Sequence, residues 1–458
     1  MEERENKFWK GVLVGTLITA FCAMAVVGIA SGIWLVGRGA KSNENETVAV
    51  AETTAPEPTE EEPVEEHTIS EKDLRLLEIG YKLDYIEALI DAYFLFDEDK
   101  EREDPIDWMY IGYMASLGDP YSSYYSAEEY KSLKESTEGE YCGVGVMVSQ
   151  NAYTGIVTVI KVFKDAPADV AGMLPGDIIT AVEGMDITGM DLSLVVDEHI
   201  KGDEGTEVSL TVYRESVADY VDLTMTRQIV QDPTVEFEML EDQIGYIELS
   251  SFEEVSTEQF IDAVDALEVQ GMKGLIIDLR NNGGGVVAAA EDIADYLLPD
   301  GKDVVSFKGK GIDDSTYVSK DGHQLDVPIV VLTNGQSASA SEVLVGALKD
   351  NDAAAIVGTK TYGKGIAQGI FSLPDGSALK LTTSYYYVPS GECIHEKGIE
   401  PDIFVELDKE LKTLVEIPKE DDNQLRTAIE VILKGEDVVK DRLEAERAES
   451  EAEASAAD

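Results

Sequence analysis

The sequence predicts an α/β core that carries an inserted mainly-β module, with helical flanks and an N-terminal transmembrane helix. Three observations lead there. From Pro233 onward, short apolar strands alternate with amphipathic helices, the pattern of a sheet covered by helices on its faces. Between Tyr141 and about Gln228 the pattern changes to closely spaced β-branched segments separated by glycine turns, as in a small β module. Gly11 to Gly37 contains no charged residue and is bounded by Lys10 and Arg38. At about 1.5 Å per residue that stretch is long enough to cross a bilayer with some tilt.

The elements follow in chain order. Residues 1–10 form a short tail and 11–37 the anchor. A cleaved signal peptide would have a shorter apolar region, and Phe21 is too large to precede a lipid-modified Cys22. Arg4, Lys7 and Lys10 precede the span, while Arg38 and Lys41 lead into an acidic run. This asymmetry favours a cytoplasmic N-terminus, hence a single-pass protein of the cell membrane with its bulk outside. Residues 38–67 are a linker: from Ser42 to Glu66 there are nine acidic residues and no basic one, with Pro56, Pro58 and Pro63 among them. Such a segment repels itself and extends.

Residues 68–138 read as helical. Leu76, Ile79, Leu83, Ile86 and Ile90 step by three and four within Ile69–Leu95. A second helix near Asp107–Leu117 is broken by Gly118-Asp119-Pro120. Ser126 and Glu129 form a capping box for a third. Residues 139–230 hold the β module, with strands at Val144–Val148, Ile156–Val162, Ile178–Val182 and Val208–Tyr213, and helices at Ala166–Ala171 and Asp191–Ile200. Residues 231–405 form the α/β core. Its strands are Ile244–Leu249, Leu275–Leu279, Pro328–Leu332 and Leu379–Val388. Its helices are Val286–Leu298, Ser339–Leu348 and one capped by Ser256 that ends near Val269, with Gln259 completing the box. Residues 406–458 contain a helix at Gln424–Lys434 and then an acidic tail. Gly435 to Asp458 carries nine acidic and three basic residues, a block that is expected to stay solvated and disordered.

Composition narrows the function. The chain has 458 residues and a net charge of −56, which argues against nucleic acid as a partner. Its three cysteines and four histidines share no metal-ligand spacing, so no metal or other cofactor is expected. Cys142 and Cys393 read as free buried thiols, with a disulfide between them as the alternative that no spacing supports.

The chemistry concentrates in two runs. Gln336-Ser337-Ala338-Ser339-Ala340-Ser341-Glu342 places serines at the start of a helix. Thr361-Tyr362-Gly363-Lys364-Gly365-Ile366-Ala367-Gln368 follows, with a lysine in a glycine turn 25 positions after Ser339. A serine hydroxyl is a weak nucleophile until a base removes its proton, and a lysine kept neutral by burial can be that base. Composition alone does not choose among the alternating serines. With Ser337 as N-cap, Ser339 would lie in the first turn, where free N–H groups favour an oxyanion. Small residues at a helix start also permit tight packing, and a lysine between glycines is also a solvated turn residue. The Ala340 N–H and the glycines of the 283–285 loop are the available oxyanion donors. No histidine neighbours a candidate serine, and no G-x-S-x-G is present. In the β module, Gly143-Val144-Gly145-Val146 opens a strand in a way that could aim N–H groups at a carboxylate, so that a peptide adds as an extra strand. An ordinary glycine turn reads the same way.

Several blocks, in order, resemble the carboxy-terminal processing peptidases, or tail-specific proteases. They are Ser116-Leu117-Gly118-Asp119-Pro120-Tyr121-Ser122, Gly143-Val144-Gly145, Ala166–Asp177, Leu275–Gly285, Ser337–Glu342, Gly363–Gln368 and Gly398-Ile399-Glu400-Pro401-Asp402. The resemblance implies a crotonase-like protease core with an inserted PDZ domain. It implies Ser339 as nucleophile, Lys364 as general base and Gln368 as its orienting partner. It implies an oxyanion hole from Ala340 with Gly284 and Gly285, and capture of a substrate's free C-terminus at Gly143, Val144, Gly145 and Val146. The expected activity is a membrane-anchored serine endopeptidase acting on proteins or peptides, with a homodimer suggested by the helical flanks, as in relatives. Lys201 stands where relatives commonly have an arginine that couples the PDZ domain to the catalytic centre; lysine lacks the planar fork. Tyr121 stands for the family's histidine, and Glu392 for its arginine. The alternative is a non-catalytic PDZ-type peptide-binding or adaptor protein on the same fold.

Overall fold

The computed structural model describes residues 70–95, 105–311, 313–414 and 417–457. The expected span at 11–37 and the acidic linker at 38–67 lie outside the described residues. Among those described, no helix is long and apolar enough to cross a membrane. The chain divides into two units, residues 1–100 and 101–458.

In the first unit, Ser70 caps helix Glu71–Tyr93, its hydroxyl accepting the Asp73 N–H at 3.2 Å. None of its residues is buried, and Leu76, Ile79 and Ile86 of the expected apolar stripe are exposed.

The second unit is built on a six-stranded sheet whose spatial order follows the sequence: Val235–Met239, Ile244–Leu249, Gly274–Asp278, Ile329–Thr333, Ala354–Gly358 and Ile403–Phe404. Only the first pair is antiparallel. Gly274–Asp278 and Ile329–Thr333 are buried along their whole length, because parallel strands are covered on both faces. On one face Ile277, Leu279 and Val331 pack with Val264, Ile293 and Leu344 of the connecting helices Ser256–Val269, Val287–Leu297 and Ala340–Asp350. On the other, Ile276, Val330 and Val357 meet Leu425 and Ala428 of helix Asn423–Lys434. A second sheet joins Ser123–Tyr125, Ala378–Tyr387, Asp303–Gly309 and Ser315–Val318, with Ile366–Ser372 also paired to Ala378–Tyr387.

The β module is an antiparallel sheet of Val146–Gln150, Val157–Val162, Ile178–Val182, Glu207–Arg214 and Asp219–Thr226 around Val144, Val159, Ile179, Leu210 and Val212. Its two ends pair with each other, Glu140–Gly143 against Gln228–Gln231. An insertion whose entry and exit are paired in this way leaves the host sheet uninterrupted.

Four expectations are corrected. Ser256 is not an N-cap: it lies inside the helix, whose N-cap is Val255, and its hydroxyl accepts the Glu253 N–H at 2.8 Å. Gln259 instead reaches out of the helix to the Thr234 N–H and the Asp232 carbonyl. The Asp191–Ile200 helix begins as one α turn and continues as a π-helix over Val195–Ile200. The acidic tail is helical over Glu436–Ala457, since Val439 is buried against the core and Lys440 and Arg442 pair with Glu436 and Glu430. Finally, Ser337 does not cap helix Ala340–Asp350; Ser339 does. Cys142 and Cys393 are free, and both are half-buried.

Candidate active site

The site sits at the carboxyl ends of three adjacent parallel strands. The Gly283–Gly285 loop follows Gly274–Asp278, Ser339 follows Ile329–Thr333, and Lys364 follows Ala354–Gly358. Loops at this edge are where open α/β sheets place their ligands. The 25-residue spacing is then one crossover. An 11-residue helix rises about 16 Å and a five-residue strand about 17 Å, so helix Ala340–Asp350 and strand Ala354–Gly358 bring the chain back to the edge it left.

The structure separates the three serines. Ser337 is fully buried and donates its hydroxyl to the Leu279 carbonyl at 2.7 Å. Ser341 is also fully buried and donates to the Asn282 carbonyl at 2.9 Å. Both lace the helix start to the neighbouring loop. Ser339 stands between them with φ 56° and ψ −115°, a left-handed backbone that a residue with a side chain adopts only under constraint, at about 1–3 kcal/mol. Its neighbour Ala340 begins the helix, and the Ser341 N–H is committed to the Ala338 carbonyl at 3.1 Å.

Gly284 explains how closely the loop approaches. Its φ is +100°, and a Cβ there would lie 2.6 Å from the Ala338 oxygen and 2.8 Å from Ser339 Cβ. Its N–H is committed to Asn282 Oδ1 at 2.8 Å, so Gly284 contributes approach rather than a free donor. Asn282 is fully buried and donates in turn to the Leu249 carbonyl at 2.6 Å. Gly285 is held by Phe252, which accepts from Val286 and donates to Gly284 on either side of it. No hydrogen bond to another main-chain group occupies the Gly285 or Ala340 N–H among the described residues.

Lys364 lies in a turn whose glycines are needed for space. A Cβ on Gly363 would lie 2.8 Å from the Gly398 nitrogen, and one on Gly365 2.5 Å from the His395 nitrogen. The closing Gly398–Asp402 block is therefore the wall behind the lysine turn. Burial pushes the Lys364 amine below its ordinary range, and nearby Lys380 adds to this, while Asp119 and Glu342 work in the opposite direction. The amine lies over the Tyr121 ring, 4.7 Å from its centroid, and makes no hydrogen bond to the Ser339 hydroxyl. Gln368 is on strand Ile366–Ser372, at a bulge in its pairing, and donates to Thr382 Oγ1 at 3.3 Å.

Two buried residues that the sequence reading missed tie the serine to the lysine. The Glu342 carboxylate, fully buried, accepts the Ser339 N–H at 3.0 Å and the Lys364 N–H at 2.8 Å on one oxygen. Its other oxygen accepts the Thr361 hydroxyl at 2.6 Å and the Gly363 N–H at 2.7 Å. The Tyr386 hydroxyl reaches the carbonyls of both Ser339, at 3.1 Å, and Lys364. Its phenol is held far above its ordinary range, first by burial and then by Glu342. The signal for Glu342 was present as Ser339-x-x-Glu342, a capping-box pattern; Tyr386 had no local signal.

In the β module, Val144 is buried and Gly145 has φ +76°, with its Cα packed so closely on Ala166 that a Cβ would lie 2.3 Å from that side chain. Beside them runs a groove of about 340 Å³, lined by Val144, Val146, Val148, Phe163, Val196 and Ile200. Its remaining wall includes Glu135, Lys201 and Asp232. Lys201 pairs with Asp197 at 3.0 Å and with Glu135 of helix Ala127–Glu138 at 3.3 Å. Burial opposes its charge, but these partners raise its pKa overall. Among the described residues, no group of histidines, cysteines and carboxylates could hold a metal ion.

Comparison with known proteins bears on both parts. The model of peptidase family S41 matches residues 243–405, and that of a PDZ domain matches residues 141–225. The carboxy-terminal-processing protease of Bartonella bacilliformis is 38% identical over 316 residues, covering 68% of this chain and 70% of the relative. The carboxy-terminal processing protease CtpA of Bacillus subtilis is 34% identical over 323 residues, covering 70% of this chain and 68% of the relative. Among solved structures, a photosystem II D1 C-terminal processing protease aligns with 79% of this chain and 98% of its own, at 28% identity and a TM-score of 0.43.

Proposed function

Because the chain belongs to peptidase family S41, among the carboxy-terminal processing proteases with a PDZ domain, we propose that it is a membrane-anchored serine endopeptidase working through a Ser339–Lys364 dyad. The observation that carries this is the buried Glu342 carboxylate, which binds the backbone N–H of both residues, while the hydroxyls of Ser337 and Ser341 are committed to carbonyls.

In this reading the neutral Lys364 amine takes the Ser339 proton as Oγ attacks the scissile carbonyl. The N–H groups of Ala340 and Gly285 stabilise the oxyanion. The lysine then gives its proton to the leaving amine, and water, activated by the same amine, releases the acyl group. Gln368 orients the amine. A substrate's C-terminal carboxylate docks at Gly143–Val146 and its last residues lie in the 340 Å³ groove, paired as an added strand. Lys201 couples that groove to the catalytic core through helix Ala127–Glu138. The apolar stretch at 11–37 anchors the enzyme, with residues 38–67 as tether and the protease outside the cell membrane.

The test is cleavage of an unfolded protein by the full chain and by Ser339→Ala and Lys364→Ala variants. Both substitutions are expected to abolish cleavage with the fold retained, and blocking the substrate's C-terminus as an amide should slow it. Undiminished cleavage by Lys364→Ala would sink the dyad. Release of the protein from membranes by salt alone would sink the anchor.

A further inference from the structure

One block of the sequence has no role in the mechanism above, yet it folds against the catalytic lysine: Asp119-Pro120-Tyr121-Ser122. Asp119 closes a turn, its Oδ1 accepting the Tyr121 N–H at 3.0 Å and its Oδ2 the Ser122 hydroxyl at 2.6 Å. Ser122 Oγ accepts the Thr382 N–H at 3.0 Å. Thr382 Oγ1 is the acceptor for Gln368. The turn is thus pinned to the strand beside Gln368, and this delivers the Tyr121 ring to Lys364, whose amine lies 4.7 Å from the ring centroid.

We propose that Tyr121 is a positioning residue for Lys364: its ring face is a seat that holds the lysine as an ammonium, disengaged from Ser339, between turnovers. The inference rests on the dyad reading. A ring quadrupole attracts the cation and not the free amine, so the seat stabilises the form that cannot act as base. The other groups facing the amine divide. Asp119 and Glu342 favour the charged form, while burial and Lys380 disfavour it. Tyr362, from the lysine's own turn, faces the Tyr121 phenol and keeps it protonated. The balance leaves the amine below its ordinary range. The turn is pinned by hydrogen bonds, whereas the amine is held to it by the ring contact.

The readout is the second-order rate of Ser339 labelling by diisopropyl fluorophosphate as a function of pH. In that reaction Oγ forms a bond to phosphorus, fluoride leaves and Lys364 takes the serine proton. Wild type, Tyr121→Phe, Tyr121→Leu and Lys364→Ala are compared in the full chain. Tyr121→Phe keeps the ring and is expected to keep the wild-type acid limb. Tyr121→Leu removes the ring, lowers the pKa of the base and moves the limb to lower pH by about half a unit. An unmoved limb in Tyr121→Leu, with or without a lower plateau, overturns the seat; so does an equal shift in Tyr121→Phe, which would assign the effect to the phenol. Tyr121→Met serves in the same test if the leucine variant does not fold. Lys364→Ala separates the two proposals: labelling at the wild-type rate there refutes the dyad itself, whatever the tyrosine variants do.

Discussion

Glu342→Gln is the most demanding perturbation of this site. Four donors converge on the carboxylate: the N–H groups of Ser339 and Lys364 on one oxygen, and the Thr361 hydroxyl and Gly363 N–H on the other, at 2.6–3.0 Å. A carboxamide has one acceptor oxygen. Turned toward Ser339 and Lys364, its NH2 meets two N–H donors head-on; turned the other way it meets the Gly363 N–H, while the Thr361 hydroxyl can rotate to accept. Each unsatisfied buried donor costs about 1–3 kcal/mol, so the loss of one or two is on the order of 1–6 kcal/mol, concentrated where Ser339 already holds a left-handed φ. Relief requires the serine or the lysine turn to move. A displacement of about 1 Å in a reacting group can cost roughly a hundredfold in rate. The assay has two arms, thermal unfolding and fluorophosphonate labelling per folded molecule. The expected result is an unfolding midpoint lower by on the order of 10 °C and labelling slowed by about ten- to a hundredfold. A variant that unfolds early but labels at the wild-type rate would show that the carboxylate stabilises the fold without setting the dyad geometry. A variant unchanged in both would refute the reasoning outright.

Three other outcomes follow from the same structure. Gly284→Ala should abolish labelling, because its Cβ would fall 2.6 Å from the Ala338 oxygen at φ +100°; fluorophosphonate labelling per folded molecule measures this directly. Arg280→Met should destabilise by about 3–5 kcal/mol in denaturant unfolding. It removes the guanidinium that pairs Asp278 at 2.5 Å and Asp422 at 2.8 Å, both nearly fully buried. Glu253 has a buried, unpartnered Oε2, and burial, with Asp232 beside it, raises its pKa from 4.5 to about 7. The folded state therefore binds this proton more tightly than the unfolded chain. That contribution is full below about pH 4.5 and is lost as pH rises through about 7. Glu253→Gln should flatten this part of the stability–pH profile and exceed wild type above pH 7.

Legibility in the sequence followed the range of the interactions. The alternation of strands and helices, the capping of helix Ala127–Glu138 by Ser126 and Glu129, and the glycine turn around Lys364 are local, and local patterns report them. The capping-box expectation failed at Ser256 because Thr234 and Gln259 engage each other across the junction of two elements, and tertiary bonding displaced the local cap. The acidic tail is helical because Val439 finds a buried place in the core, which charge counting does not anticipate. Ser339 could not be told from Ser337 and Ser341 by composition. The distinction lies in the carbonyls of Leu279 and Asn282, nearly 60 residues earlier. Tyr386 is 47 positions from Ser339 and 22 from Lys364, in a strand whose other tyrosines look the same on paper.

The two bridging residues would let the proposed dyad be both rigid and switchable. Glu342 accepts the N–H groups of residues 339 and 364, and the Tyr386 hydroxyl lies within reach of both their carbonyls, so the two backbones belong to one frame. The lysine amine, by contrast, rests on an aromatic ring. A cation–ring contact is worth about 0.5–1 kcal/mol at a partly exposed site, far less than the several buried hydrogen bonds that hold the frame. In the proposed mechanism, the ring contact that must be broken for the amine to reach the hydroxyl is therefore small beside the frame. A site whose frame and moving part differ this widely in energy can remain idle without being unfolded, and can be engaged without refolding.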